Sequence, residues 1–169
     1  MERLWAPWRM AYILSGDELK ETCIFCAFPA DGPAHFREHQ ILCATDQAFV
    51  MMNKYPYNNG HIMVIPRAHV AEPSGLDAAA WSALSELLRA SVACVKEALK
   101  AQGFNVGMNL GRVAGAGIDQ HLHWHIVPRW NGDTNFMPVV GDVKVLSEHL
   151  EGTYERLLPY FAKLGVGPA

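Results

Sequence analysis

Three apolar runs set the first half of the chain: Gln40 to Ala44, Ala48 to Asn53 and His61 to Pro66. Each is short and closed off by polar or turn-forming residues, which predicts strands. Tyr55-Pro56-Tyr57-Asn58-Asn59-Gly60 has the Pro, Asn and Gly content of a turn, so the three strands read as an antiparallel meander. Apolar spacing then changes from two to near 3.6. Trp81, Leu84, Leu87, Leu88, Val92, Val95 and Leu99 form one stripe, which predicts a long helix over Leu76 to Ala101. Ser74-Gly75-Leu76-Asp77 reads as its capping box and Gly103 as its stop. Phe104 to Leu110 gives a fourth strand, Gly111 to Gly117 a small-residue loop, and His121 to Arg129 a fifth strand. A last helix begins near Ser147, with Leu150, Tyr154, Leu157 and Leu158 as its apolar positions; Pro159 should kink or end it.

The expected class is α+β: a mainly antiparallel five-stranded sheet, a long helix on one face and a C-terminal helix. A chain of 169 residues suits one domain. It divides into an N-terminal arm (1–22), a core (23–144) and a helical tail (145–169). The arm carries Trp5 and Trp8 without a clear period, and it lacks the unbroken apolar stretch of a signal peptide. No apolar run approaches the length of a membrane span, so no membrane partner is expected. A formal charge of −3 makes no case for a nucleic acid polymer. Four cysteines in a chain this long do not suggest a disulfide framework, so a reducing, cytoplasmic setting is expected.

The fifth strand changes the picture. Side chains alternate faces along a strand, so His121, His123 and His125 share one face while Leu122, Trp124 and Ile126 share the other, directed at the long helix. Three imidazoles in a row are a poor core and a good site, since imidazole can act as nucleophile, proton carrier or metal ligand near neutral pH. Two uses compete. All three could hold a metal for hydrolysis, or the central one could attack phosphorus and form a phosphoramidate. The metal reading wants a carboxylate, and only Asp119 lies nearby, outside the alternation. Cys23-Ile24-Phe25-Cys26 adds a second ambiguity: a redox pair, half a zinc site, or two buried thiols. Cys43 and Cys94 read as small core residues, and His35 and His39 as solvated loop residues.

The run His121-Leu-His-Trp-His-Ile-Val127 resembles the signature of the histidine triad (HIT) superfamily. Asn53 through Val70, with its Gly60-His61 and Ile65-Pro66 pairs, resembles that superfamily's other diagnostic segment, and Phe104 to Gly111 is similar too. Pro128 to Phe136 points to the branch acting on dinucleoside polyphosphates, which includes fragile-histidine-triad-like hydrolases and bacterial diadenosine tetraphosphate phosphorylases. The resemblance implies that His123 is the nucleophile toward the substrate's α-phosphate, that His125 contacts that phosphate, and that His61 lies beside them as a fourth histidine. Asn53 would bond the ribose and Asn109 would sit near the nucleophile. It further implies a structural zinc on Cys23, Cys26, His69 and His121, and a homodimer.

Other nucleotide contacts are read from residue type. Backbone amides of Gly115, Ala116 and Gly117 could meet phosphate charge where no lysine cluster is present. Trp130 could stack on a base or simply pack at the rim. A phosphoramidase on the same fold, or a nucleotide-binding scaffold without turnover, remains an open alternative at this level. So does the choice between hydrolysis and phosphorolysis.

Overall fold

The computed structural model of the protein describes residues 23–134 and 148–169. The arm with Trp5 and Trp8, and the stretch from Phe136 to the expected end of the core at residue 144, lie outside the described residues. The elements are α1 (Ile24–Ala30), β1 (Ile41–Ala44), β2 (Ala48–Met52), β3 (Ile62–Pro66), α2 (Ala78–Leu99), β4 (Gly103–Gly107), β5 (Trp124–Arg129) and α3 (Leu150–Phe161). The five strands form one sheet in the order β1-β2-β3-β5-β4, with every neighbouring pair antiparallel.

β1, β2 and β3 are buried at every position, which is why their sequences are continuous apolar runs rather than alternating ones. Both sheet faces are covered. On one, Leu42, Val50, Met52, Val64, Leu122 and Ile126 pack against Leu84, Leu87 and Val95 of α2 and against Tyr154, Leu157 and Phe161 of α3. On the other, Ile41, Phe49, Met51, Met63 and Ile65 pack with Phe25 of α1 and with Phe36. α2 has the length and composition of a membrane-crossing helix, against the expectation from sequence, but its apolar stripe is spent on this sheet.

The termini of α2 differ from the sequence reading. Pro73–Gly75 makes a separate 3-10 turn, so Ser74 is not the cap. Asp77 is: its carboxylate accepts from the Ala80 N–H at 2.8 Å, a bond of a type that contributes about 1 kcal/mol. The helix stops at Leu99 because Lys100 takes the left-handed conformation (φ 52°). Gly103 opens β4 instead of ending the helix. β4 itself ends at Gly107, three residues short of Leu110. Pro159 neither ends nor caps α3; it sits exposed inside it, and the helix runs on until Phe161 is buried. Near a C-terminus the ring costs only one backbone bond, and burial of Tyr154, Leu157 and Phe161 outweighs it.

α1 was not legible as a helix. It is seven residues long, contains Pro29 and has no apolar period. It opens at the cysteine pair, with Cys23 in the cap position and its carbonyl accepting from the Cys26 and Ala27 N–H groups. His39, read as solvated, is held between Asp31 (2.7 Å) and the stacked ring of Phe28.

Candidate active site and metal cluster

β5 lies between β3 and β4, so its side chains on the α1 face look onto the centre of the sheet. His125 is paired with Met63 of β3 and with Gly107 of β4. The regular strand begins only at Trp124; His121 and His123 precede it because the Leu122 N–H donates to the Val70 carbonyl (2.6 Å) rather than to a ladder partner. The alternation survives this. Leu122 and Ile126 belong to the α2 face, with Trp124 packed beside them. His121, His123 and His125 are buried on the other side.

The hydrogen bonds divide the three rings among different tasks. The His121 Nε2–H donates to the Pro66 carbonyl at 2.8 Å, which leaves Nδ1 bare. The His123 Nδ1–H donates to the His121 carbonyl at 2.8 Å, which leaves Nε2 with the lone pair. Burial pushes both imidazoles below the ordinary histidine range, against the opposing pull of those carbonyls, so both are neutral near pH 7.

His61 stands immediately before β3 and completes the set. The Tyr57 N–H donates to its Nδ1 at 3.0 Å, so its ring proton sits on Nε2 and points at His125 Nδ1, 2.9 Å away. For neutral rings, His125 then carries its own proton on Nε2. One bare nitrogen (His123 Nε2) and one protonated nitrogen (His125 Nε2) therefore lie on neighbouring rings, with centroids 4.9 Å apart. The Tyr57 ring packs on His61 (4.6 Å) and His125 (5.6 Å).

The turn that delivers His61 is braced. The Asn58 carboxamide donates to the Pro128 carbonyl (3.0 Å) and to Asp133 (2.8 Å), and Arg129 forks onto the same carboxylate. These bonds hold the Asp133 carboxyl well below the usual carboxylate range. Gly60 closes the turn at φ 70°, and a Cβ there would run into Leu99 Cδ1. Gly60→Ala should therefore cost about 1–2 kcal/mol in stability from the backbone conformation alone, measurable by urea unfolding. No loss of stability would mean the turn can be rebuilt.

Among the described residues, His121 is the triad ring that stands in a cluster of potential metal ligands. Its Nδ1 lies 3.4 Å from Cys23 Sγ, 3.6 Å from Cys26 Sγ and 3.3 Å from His69 Nδ1, and Cys26 Sγ lies 3.3 Å from His69 Nδ1. All four ligand atoms fall within 4.8 Å of one another. A tetrahedral zinc with ordinary Zn–N and Zn–S bonds separates its ligand atoms by about 3.3–3.8 Å, so the donor set and these four separations fit that ion. Burial and the neighbouring Cys23 thiol push the Cys26 thiol up, an effect that a bound divalent cation reverses. Asp119, the carboxylate considered for a hydrolytic metal, is paired with Arg112 at 3.0 Å.

A family model described as HIT domain matches residues 36–132. The chain belongs to the HIT family. It is 34% identical to the AP-4-A phosphorylase of Mycobacterium tuberculosis over 168 residues, covering 96% of this chain and 86% of that protein. It is also similar to the solved structure of a hypothetical histidine triad nucleotide-binding protein from Sulfolobus tokodaii. That pair is 28% identical with a TM-score of 0.64, covering 83% of this chain and 90% of the other. A Zn-bound histidine triad family protein from Mycobacterium smegmatis, 24% identical, shares the fold with a TM-score of 0.65 over 85% of this chain and 95% of its own.

The remaining expected residues of this HIT domain are placed unevenly. Asn53 lies at the end of β2, where its side-chain oxygen accepts from the Tyr55 N–H (2.9 Å); what it can offer a ligand is the NH2 donor. Extending the β4–β5 register two residues past Gly107 carries Asn109 to the level of His123. The loop before the triad is less open than its composition suggests. Arg112–Ala114 forms a 3-10 turn, and the N–H groups of Ala114, Gly115 and Ala116 point back at carbonyls of Gly111 and Arg112. Gly115 and Ala116 are thus not ready-made anion donors. Trp130 stands at the opposite end of β5 from His125, and its indole N–H donates to the Leu99 carbonyl at 3.2 Å. It caps α2 and is not brought to the histidines.

Three contacts escaped the sequence reading entirely: the Phe25 ring against His121 and against His123, and the Tyr57 amide on His61. A lone Phe inside C-x-x-C and a Tyr inside a turn give no periodic signal.

Proposed function

We propose that the protein splits dinucleoside polyphosphates such as diadenosine tetraphosphate, through a nucleotidyl group carried on His123. The observation that carries this is the pairing of a bare His123 Nε2 with a proton-bearing His125 Nε2 on adjacent buried rings. The His123 lone pair attacks the α-phosphorus, the bond to the polyphosphate oxygen breaks, and the leaving nucleotide departs with those electrons. The His125 Nε2–H donates to phosphate oxygen as charge builds there, with His61 holding the ring's tautomer. In the second step an oxygen nucleophile attacks the same phosphorus and the P–N bond breaks, restoring the imidazole. Asn53 and Asn109 serve as ribose and phosphate contacts.

The second acceptor is taken as inorganic phosphate, on the strength of the phosphorylase that matches nearly the whole chain. Incubation of diadenosine tetraphosphate with phosphate should give ADP and ATP. AMP and ATP formed equally with or without phosphate would make water the acceptor, and no turnover of any nucleotide would reject the enzyme.

Cys23, Cys26, His69 and His121 are proposed to hold one zinc, whose contribution is structural: it fastens the start of α1 and the segment after β3 to the residue that leads into β5. The protein is further proposed to act as a homodimer in the cytoplasm. β4 is a sheet edge that exposes Val106, followed by exposed Leu110 and Val113, an apolar border that a second copy can cover. None of the described cysteines is in a disulfide, in keeping with the proposed reducing compartment.

A further inference from the structure

The residue between the two cluster cysteines that faces inward is Phe25, 2% exposed. Its ring stands edge-on to His121 (centroids 5.5 Å, 84°) and tilted against His123 (5.2 Å, 59°). We propose that Phe25 is a positioning residue, which transmits the fixed geometry of the Cys23–Cys26–His69–His121 cluster to the His123 imidazole. This rests on the reading of His123 as nucleophile.

The need for such a wall follows from the bonds His123 makes. Among the described residues its one hydrogen bond, from Nδ1 to the His121 carbonyl, fixes one ring atom. The terminal torsion of a histidine is broad and roughly two-fold, so a single anchor leaves Nε2 free to swing. Two rings restrict that swing: His125, T-shaped at 4.9 Å, and Phe25. Phe25 is also held more firmly than an ordinary core side chain, because Cys23 and Cys26 on either side of it belong to the cluster. The cluster thus reaches the nucleophile by two routes, through the His121 carbonyl and through the Phe25 ring. A misplacement of about 1 Å at a reacting atom can cost on the order of 10²-fold in rate. Phe49 belongs to the same apolar cluster and is fully buried, yet it makes no ring contact with a histidine among the described residues, which makes it the natural control.

The test compares Phe25→Leu and Phe49→Leu in zinc-loaded protein at one pH. The readouts are ring-nitrogen NMR signals of His123 without substrate, zinc content, and kcat and KM on diadenosine tetraphosphate. For Phe25→Leu, zinc should stay at about one per chain, the His123 nitrogen signals should move toward tautomer-averaged positions, and kcat should fall about 10–100-fold with KM little changed. Phe49→Leu should lose stability and show neither change. Wild-type His123 signals and kcat in Phe25→Leu would overturn the proposal, as would equal kcat losses in both variants. If Phe25→Leu fails to fold, Phe25→Met takes its place with the same expectations. Should the wild type turn over no dinucleoside polyphosphate, the functional reading fails, while the nitrogen signals still decide what Phe25 does to the ring.

Discussion

His123→Asn should leave the protein folded and able to bind nucleotide while lowering turnover by at least about 10³-fold. Asparagine is chosen because its amide can still donate to the His121 carbonyl, the bond that His123 Nδ1–H makes at 2.8 Å. It keeps a short planar polar group in the same buried place and removes the lone pair that the ring presents on Nε2, together with the ring's packing on Phe25 and His125. Loss of the nucleophile should appear in kcat, with binding of the unreacted substrate little affected. Near-normal turnover would remove His123 from the covalent role and shift attention to His125. A variant that has lost nucleotide binding as well would point to a collapsed site, and its thermal unfolding would show it.

Cys23→Ala, Cys26→Ala should act by a different route. Purified wild-type protein is expected to hold about one zinc per chain, and the double variant to hold almost none. The four ligand atoms come from three separated places in the chain: the start of α1, His69 after β3, and His121 before β5. Losing a structural metal costs several kcal/mol, and a domain of this size shifts by about 2–4 °C per kcal/mol. A fall in Tm of roughly 10 °C or more is expected. The catalytic defect of the surviving folded protein should be smaller than that of His123→Asn, since the double variant keeps the His123 lone pair. Full zinc retention would place the metal on other residues.

The sheet and the sidedness of its three histidines were legible because both rest on short-range patterns. β1 to β3 are apolar at every position, and the His-x-His-x-His alternation keeps its sidedness even where the strand has not yet begun. The four cluster ligands, although scattered, converge as the resemblance implied. What could not be read depends on partners distant in sequence. Leu122 pairs with Val70, so β5 starts at Trp124. Pro73–Gly75 draws Ser74 into a turn of its own, which passes the cap to Asp77. Gly111–Gly117 has the composition of an anion-binding loop, but the Ala114, Gly115 and Ala116 amides close a turn instead. Trp130 finds the Leu99 carbonyl 31 positions away, and nothing local distinguishes such a cap from a stacking platform.

The proposed function turns on a covalent bond between one imidazole nitrogen and one phosphorus. Rapid denaturing quench of the enzyme during turnover of diadenosine tetraphosphate, followed by intact-mass and peptide analysis, tests it directly. The expected result is a mass increase of one nucleoside monophosphate, stable to base and labile to acid, located on the peptide containing His123. It should be absent from His123→Asn. An adduct on another residue, or unmodified enzyme throughout a reaction that proceeds at full rate, would contradict it.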